Sequence, residues 1–190
     1  MKNKTFDVIT FGNAIVDIIN PTEYDFLKKN SLVPGSMNLV SQDEAKNLLL
    51  QCEPKEIISG GSAANTAVGI ASFGGNPAFI GKVKNDKFGK IFADSLNSSG
   101  VTFKSLKSSE GPPTATSLIS VTPDGERTMC TYLGACLELA EHDIDEKIII
   151  DSKICYVEGY LWDPPEAKKA LRKAINICKK NNILVAFTLS

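Results

Sequence analysis

The chain has 190 residues, 43% of them hydrophobic and 23% charged, and its 21 basic and 22 acidic side chains give a net charge of −1. This length suffices for one well-packed core, or for one domain with a small appendage. The balanced charge, with no basic block and no acidic tail, argues against a nucleic-acid partner. No apolar run approaches the ~20 residues that span a bilayer, so we expect no membrane partner.

Cysteine and histidine usage narrows the class further. The five cysteines are scattered, odd in number and without a Cys-x-x-Cys pair. This favours reduced, mostly buried thiols and a cytoplasmic location over a disulfide framework. The single histidine, His142, lies in a polar stretch and is predicted at the surface. No cluster of His, Cys, Asp and Glu has metal-ligand spacing, so we assign no metal-binding residue.

Hydrophobic periodicity predicts strands and helices in alternation along most of the chain. Strands are predicted over residues 6–11, 77–83, 115–121, 126–133, 153–161 and 182–190, and helices over 41–50, 62–73, 86–99 and 163–180. Ser41 and Glu44 have capping-box spacing at the first helix, and Asp86 is suited to cap the third.

This alternation predicts an α/β fold with a mostly parallel sheet and helices on both of its faces. Two stretches depart from it, at about residues 15–40 and 115–133. The second contains the turn sequence Thr-Pro-Asp-Gly and is predicted to be a hairpin. We expect both stretches to form antiparallel strands of a small accessory sheet. Because the last predicted strand runs to Ser190 without a following element, we expect a chain that is truncated at its C-terminus.

Polar side chains follow the ends of several predicted strands. Asn13 and Asp17 follow the first, Ser62 and Asn65 follow a glycine pair, and Glu158 ends a later strand. A carboxylate and amides together can bind vicinal hydroxyls, because the carboxylate accepts two hydrogen bonds and an amide both donates and accepts. Asp17 stands in the apolar stretch AIVDII, where a buried carboxylate needs a partner.

The glycine pair itself leaves two interpretations open. Gly60 and Gly61 stand at the start of a predicted helix and either make a tight turn or allow a ligand to come close. The phosphate-binding motif GxxxxGK[ST] and the dinucleotide motif GxGxxG are both absent from the sequence. A dinucleotide-binding domain is therefore disfavoured.

Several ordered motifs together resemble the ribokinase/PfkB family of carbohydrate kinases. Residues 58–75 (ISGGSAANTAVGIASFGG) and 79–89 (FIGKVKNDKFG) resemble the family's first signature, although Lys84 stands where a glycine is usual. Residues 12–19, 114–136 and 156–170 are most similar to its adenosine-kinase-type branch. The resemblance runs from about residue 6 to the end. It implies a ribokinase-like, Rossmann-like fold in which the accessory strands form a β-sheet lid.

The resemblance implies ATP-dependent transfer of the γ-phosphoryl group, with Mg²⁺, to a hydroxymethyl group of a sugar or nucleoside. The family's magnesium motif, its G-A-G-D sequence with the catalytic aspartate and most of its ATP site have no counterpart here. Residues 1–190 are therefore expected to be the N-terminal, acceptor-binding part of a kinase domain, inactive alone and without a catalytic residue. The alternatives are a non-catalytic sugar- or nucleoside-binding fragment, or a kinase for another sugar such as fructose.

The family's motifs also imply particular binding residues. The acceptor positions are Asn13, Asp17, Met37, Gly60, Gly61, Ser62, Asn65, Met129, Thr131, Leu133 and Tyr160. Arg127 matches a lid arginine that contacts phosphate. The implied partner is a small-molecule sugar or nucleoside. Lid strands pair between subunits in some members of the family, so a homodimer through these strands is one interpretation, and the sequence leaves the oligomeric state open.

Overall fold

The structure, a computed structural model, describes residues 4–105 and 107–189. The strands are β1 (Phe6–Phe11), β2 (Ile15–Pro21), β3 (Met37–Leu39), β4 (Glu56–Gly60), β5 (Pro77–Ile80), β6 (Ala115–Val121), β7 (Arg127–Tyr132), β8 (Ser152–Glu158) and β9 (Leu184–Thr188). The α-helices are α1 (Tyr24–Lys29), α2 (Gln42–Leu49), α3 (Ser62–Ser72), α4 (Lys87–Ser98), α5 (Glu146–Ile150) and α6 (Pro165–Lys180). Short 3-10 turns cover Gly134–Glu138, Glu141–Asp143 and Gly159–Trp162.

The main sheet has the strand order β5-β1-β8-β9, and each of its pairings is parallel. One face carries Ile9, Phe11 and Val157 and packs against α5 and α6. The other face carries Phe79 and packs against α3 and α4, with Phe92 of α4 5.6 Å from Phe79 between ring centroids. The predicted parallel sheet with helices on both faces is therefore confirmed.

The accessory sheet has the strand order β3-β7-β6-β2-β4. The predicted hairpin of β6 and β7 is confirmed, and β2 pairs antiparallel with β4. However, β2 pairs parallel with β6, and β3 pairs parallel with β7. The expectation of antiparallel strands is thus wrong for these two pairings. The connection from β2 to β6 is long enough for a parallel crossover, since it contains α2, α3 and α4.

Local signals located most helix ends correctly. Ser41 and Glu44 form the predicted capping box, with the Ser41 backbone N–H donating to Glu44 Oε2 at 2.7 Å. Asp86 Oδ1 accepts from the backbone N–H of Gly89 at 2.7 Å and caps α4. Three elements are not predicted by the sequence, namely α1, which lies within the stretch expected to be extended, α5, and β4, whose short apolar pair indicates only the approach to a helix.

The cysteines and the histidine lie where the sequence predicts them, whereas part of the last strand does not. The five cysteines are free thiols, and all except the partly exposed Cys52 are buried. The His142 side chain is 75% exposed, as predicted. Along β9, by contrast, the apolar side chains of Leu184 and Phe187 are 70% and 45% exposed. None of the described helices is both long and apolar enough to cross a membrane.

Candidate functional site

Two of the links by which the chain passes between the two sheets touch each other. Residues 12–14 join β1 to β2, and Gly61 joins β4 to α3. Gly61 has φ +88°, and a Cβ built on it would lie 2.3 Å from the backbone oxygen of Asn13. Only glycine adopts this conformation readily and leaves room for that carbonyl. Gly61 therefore makes the turn from β4 into α3.

Gly60 has a different structural role, because its lack of a side chain leaves space for the Asp17 side chain. The register of β2 and β4 places Ile15 opposite Gly60, two residues from Asp17. A Cβ built on Gly60 would lie 2.1 Å from the Asp17 carboxyl carbon, which is far inside van der Waals contact. The glycine pair thus combines a sharp turn with the close approach of a carboxylate.

The Asp17 carboxylate lies in an unusual electrostatic environment. Burial raises the pKa of Asp17 from its usual 3.8 to about 6, and the positive charge of Arg127 opposes this rise. Among the described residues, no hydrogen-bond donor contributes to the pKa of this carboxyl group. A partly buried carboxylate without donors is suited to accept hydrogen bonds from a bound molecule.

Asn13 presents a second unsatisfied acceptor close to the same link. Its Oδ1 atom is buried and has no hydrogen-bond partner within residues 4–105 and 107–189. Buried side-chain polar atoms in folded proteins are nearly always hydrogen-bonded, so each exception calls for a partner. The hydroxyl group of a ligand would supply one.

The register of the accessory sheet places several predicted residues on one face, here called the Asp17 face. Asp17 pairs with Ser117, and Ser117 pairs with Thr131, so all three side chains point to this face. Met129, Met37 and Arg127 belong to it by the same register. The opposite face carries Val16, Ile18, Leu118 and Cys130, which pack in the core with residues of α2 and α4. The pleat therefore separates the candidate site from the core.

Two other predicted residues lie on α3, at its first turn. Ser62 is the first residue of the helix, and the backbone N–H of Asn65 donates to the Gly61 carbonyl at 2.9 Å. The Asn65 side chain is exposed. Both residues follow directly on the link that contacts Asn13.

Leu133 and Tyr160 lie outside the strands in which they were predicted. Leu133 follows the end of β7 and precedes a 3-10 turn. Tyr160 lies in the 3-10 turn after β8 and is 53% exposed. Together with Trp162 and Phe187 it lines a cavity of about 520 Å³ whose lining contains none of the other predicted site residues.

Ser117 is the residue of the Asp17 face that the sequence did not reveal. It is 4% exposed, and its hydroxyl group lies 2.8 Å from that of Thr131. The alternation of side chains along residues 115–121, together with the register of the hairpin, would place Ser117 opposite Thr131 and on the same face. The two hydroxyl groups add hydrogen-bonding capacity beside Asp17.

The family resemblance implies a magnesium ion, which would need carboxylate and other oxygen ligands. In the described part of the chain, no group of three or more His, Cys, Asp and Glu residues could hold a metal ion. No residue of this chain is assigned to the ion, and no chemical step is assigned to it here.

The fold and the sequence both match known kinases. A model of the pfkB family of carbohydrate kinases matches residues 28–189. The structure resembles that of adenosine kinase from Sinorhizobium meliloti, with a TM-score of 0.88 and 48% identity over 98% of this chain and 57% of that one. It resembles a probable sugar kinase protein from Rhizobium etli as well, with a TM-score of 0.89, 44% identity and the same coverage. The chain therefore belongs to the PfkB family of carbohydrate kinases, and its ribokinase-like fold is confirmed.

The curated relatives differ in the substrates that their names state. Probable fructokinase-7 from Arabidopsis thaliana is 36% identical over 98% of this chain and 51% of its own length. A 5-dehydro-2-deoxygluconokinase from Clostridium botulinum is 30% identical over 98% of this chain and 49% of its own length. The chain thus spans about half the length of the curated relatives that it matches.

Proposed function

We propose that residues 1–190 supply the acceptor-binding half of an ATP-dependent kinase that phosphorylates a hydroxymethyl group of a sugar or nucleoside. The observation that carries this proposal is the Asp17 carboxylate, which lies against Gly60 and receives no hydrogen bond from the residues that the structure describes. The buried Oδ1 atom of Asn13, which has no hydrogen-bond partner in the described part of the chain, supports it. Two adjacent hydroxyl groups would donate to these acceptors and relieve the cost of burying them.

The roles of the residues follow from their positions. Asp17 and Asn13 would hold the ring hydroxyls and thereby orient the hydroxymethyl group for attack. Phosphoryl transfer depends mainly on alignment and on neutralising charge, so accurate positioning of the acceptor is itself a catalytic contribution. Arg127, at the exposed end of the Asp17 face, would meet the negative charge of the phosphate donor.

The Asp17 face favours a nucleoside over a free sugar. Met37 and Met129 are register partners, and Met37 is 56% exposed. They lie further along the face than Ser117 and Thr131, so a polar region is followed by an apolar one. Hydroxyl groups suit the first region, and a purine base suits the flexible thioethers of the second. The likeness to adenosine kinase from Sinorhizobium meliloti supports this choice.

Fructose is the second candidate acceptor, since probable fructokinase-7 is 36% identical to this chain. Isothermal titration of the 190-residue protein with adenosine, ribose and fructose separates the candidates. We expect adenosine to bind, and Asp17→Ala to weaken binding by about 1.5–3 kcal/mol through loss of a charged acceptor. Asp7→Ala is the matched control, because Asp7 lies at the exposed start of β1 and pairs with Lys153. Unchanged affinity in the Asp17 variant would remove Asp17 from the site.

Turnover by this polypeptide alone is not expected, since no residue of it is assigned as the catalytic base. A coupled assay of ATP consumption checks this with the same three acceptors. Clear turnover that Asp17→Ala abolishes would refute the division into an acceptor-binding half and a separate catalytic part. The homodimer through lid strands stays a prediction, as does the cytoplasmic location that the free thiols support.

A further inference from the structure

Glu158 is a buried carboxylate at the end of the main sheet. It is the last residue of β8 and only 2% exposed. Burial raises its pKa, while hydrogen-bonding interactions with the Ser62 side chain and the Ala63 backbone N–H oppose that rise. Among the residues that the structure describes, no charged side chain contributes to this shift. The main interactions of the carboxylate are thus with the first turn of α3.

Helix α3 has no cap of its own, which distinguishes it from its neighbours. The residue at its N-cap position is Gly61, which has no side chain to serve as a cap, and no acidic residue occupies the first turn of the helix. Helices α2 and α4 are capped locally, by Ser41 and Asp86. The first N–H groups of a helix have no partner within the helix, and they carry partial positive charge that favours a carboxylate. Glu158, at the end of β8, provides such a carboxylate at the first turn of α3.

The backbone around Glu158 is shaped to admit this contact. A Cβ built on Gly12 would lie 2.4 Å from the Cβ of Ala63 and 3.1 Å from Oε2 of Glu158. Because Gly12 has no side chain, the end of β1, the end of β8 and the first turn of α3 meet closely. Gly12 begins the link that carries Asn13, and α3 begins directly after Gly61. Glu158 therefore lies where the main sheet adjoins both links to the accessory sheet.

We propose that Glu158 is a positioning residue that fixes the first turn of α3, and with it the Gly60–Gly61 link, Ser62 and Asn65, against the main sheet. Its effect on a bound acceptor rests on the proposed function, whereas its effect on α3 does not. Glu158→Gln is the informative variant, because it retains the shape of the side chain and removes its charge.

The first experiment needs no acceptor. In the ¹⁵N-labelled protein we expect the Ala63 amide resonance to follow a titration with a midpoint above the usual glutamate value of 4.5. Glu158→Gln abolishes that titration and speeds hydrogen exchange at Ala63 about fivefold, the equivalent of a lost cap. Glu166→Gln is the control, since Glu166 is 57% exposed and pairs with Lys169. An Ala63 amide that does not titrate, or that titrates equally in Glu158→Gln, overturns the proposal.

The second experiment measures acceptor affinity by calorimetry in the same variants. We expect Glu158→Gln to weaken adenosine binding about three- to tenfold, corresponding to about 1 kcal/mol, and Glu166→Gln to leave it unchanged. If the wild-type protein binds no acceptor, the proposed function fails while the Ala63 titration still tests the role of Glu158. If the titration disappears but affinity is unchanged, Glu158 does not position the site. An amide spectrum that retains its dispersion shows that the variant folds.

Discussion

Asp17→Asn tests whether a binding carboxylate is held at a cost to stability. The folded protein raises the pKa of Asp17 from 3.8 to about 6, so the folded state binds more protons than the unfolded state between these values. The contribution of this group to stability is therefore complete below about pH 4 and is lost as the pH rises through 6. Asparagine does not ionise and escapes this loss.

The magnitude follows from the size of the shift. A change of about two pKa units corresponds to about 3 kcal/mol at pH values well above 6. Because Asp17 is only partly buried and Arg127 lies nearby, solvent screening reduces this to about 1–2 kcal/mol. The free energy of unfolding of Asp17→Asn, measured relative to the wild type, should therefore rise by about 1–2 kcal/mol as the pH is raised from about 4 to 8. This corresponds to a rise of about 2–8 °C in Tm relative to the wild type.

Urea unfolding at a series of pH values, followed by circular dichroism, measures the difference directly. Asp7→Asn is the control with the opposite sign, because Lys153 lowers the pKa of Asp7 and its contribution is lost as the pH falls. A difference between Asp17→Asn and wild type that does not change with pH would refute the reasoning, as would a loss of stability at pH 8 that is absent at pH 4. The same variant should bind adenosine more weakly.

Three further substitutions test the local geometry, one of them as a control. In Gly60→Ala the new Cβ would lie 2.1 Å from the Asp17 carboxyl carbon, so we expect calorimetry to show loss of acceptor binding. Gly69→Ala is the control, because a Cβ at Gly69 meets nothing within 4 Å. It should leave acceptor binding intact and stabilise α3 slightly. Asp86 caps α4 and also accepts from the Thr114 backbone N–H at 2.9 Å, so Asp86→Ala should lower the free energy of unfolding by about 2 kcal/mol in urea titrations. A loss under about 0.5 kcal/mol would show that these hydrogen bonds contribute little.

The sequence was informative wherever a structural signal is local. The capping box at Ser41 and the cap at Asp86 involve residues three apart, and the hairpin of β6 and β7 is marked by its own turn. The parallel pairing of β2 with β6 joins residues about a hundred positions apart and leaves no such mark. The antiparallel expectation failed for that reason.

In the candidate site, too, the sequence reveals individual residues but not the long-range pairing that brings them together. Asp17 was conspicuous as a single charge in an apolar strand, and the family resemblance singled out the glycine pair. That Gly60 accommodates the Asp17 side chain depends on the register of β2 with β4, which only the structure supplies. The pairing of Ser117 with Thr131 is hidden for the same reason. The apolar stretch around Tyr160 predicts a strand, whereas the chain turns after Glu158.

The exposed strand β9 has a consequence for every solution measurement on this polypeptide. Strands of parallel sheets are usually buried on both faces, yet β9 is the last strand in its sheet, and its Leu184 and Phe187 are 70% and 45% exposed. An open apolar edge is a template for pairing with another molecule. Self-association of folded molecules through β9 would compete with unfolding, so by mass action the apparent stability should rise with protein concentration.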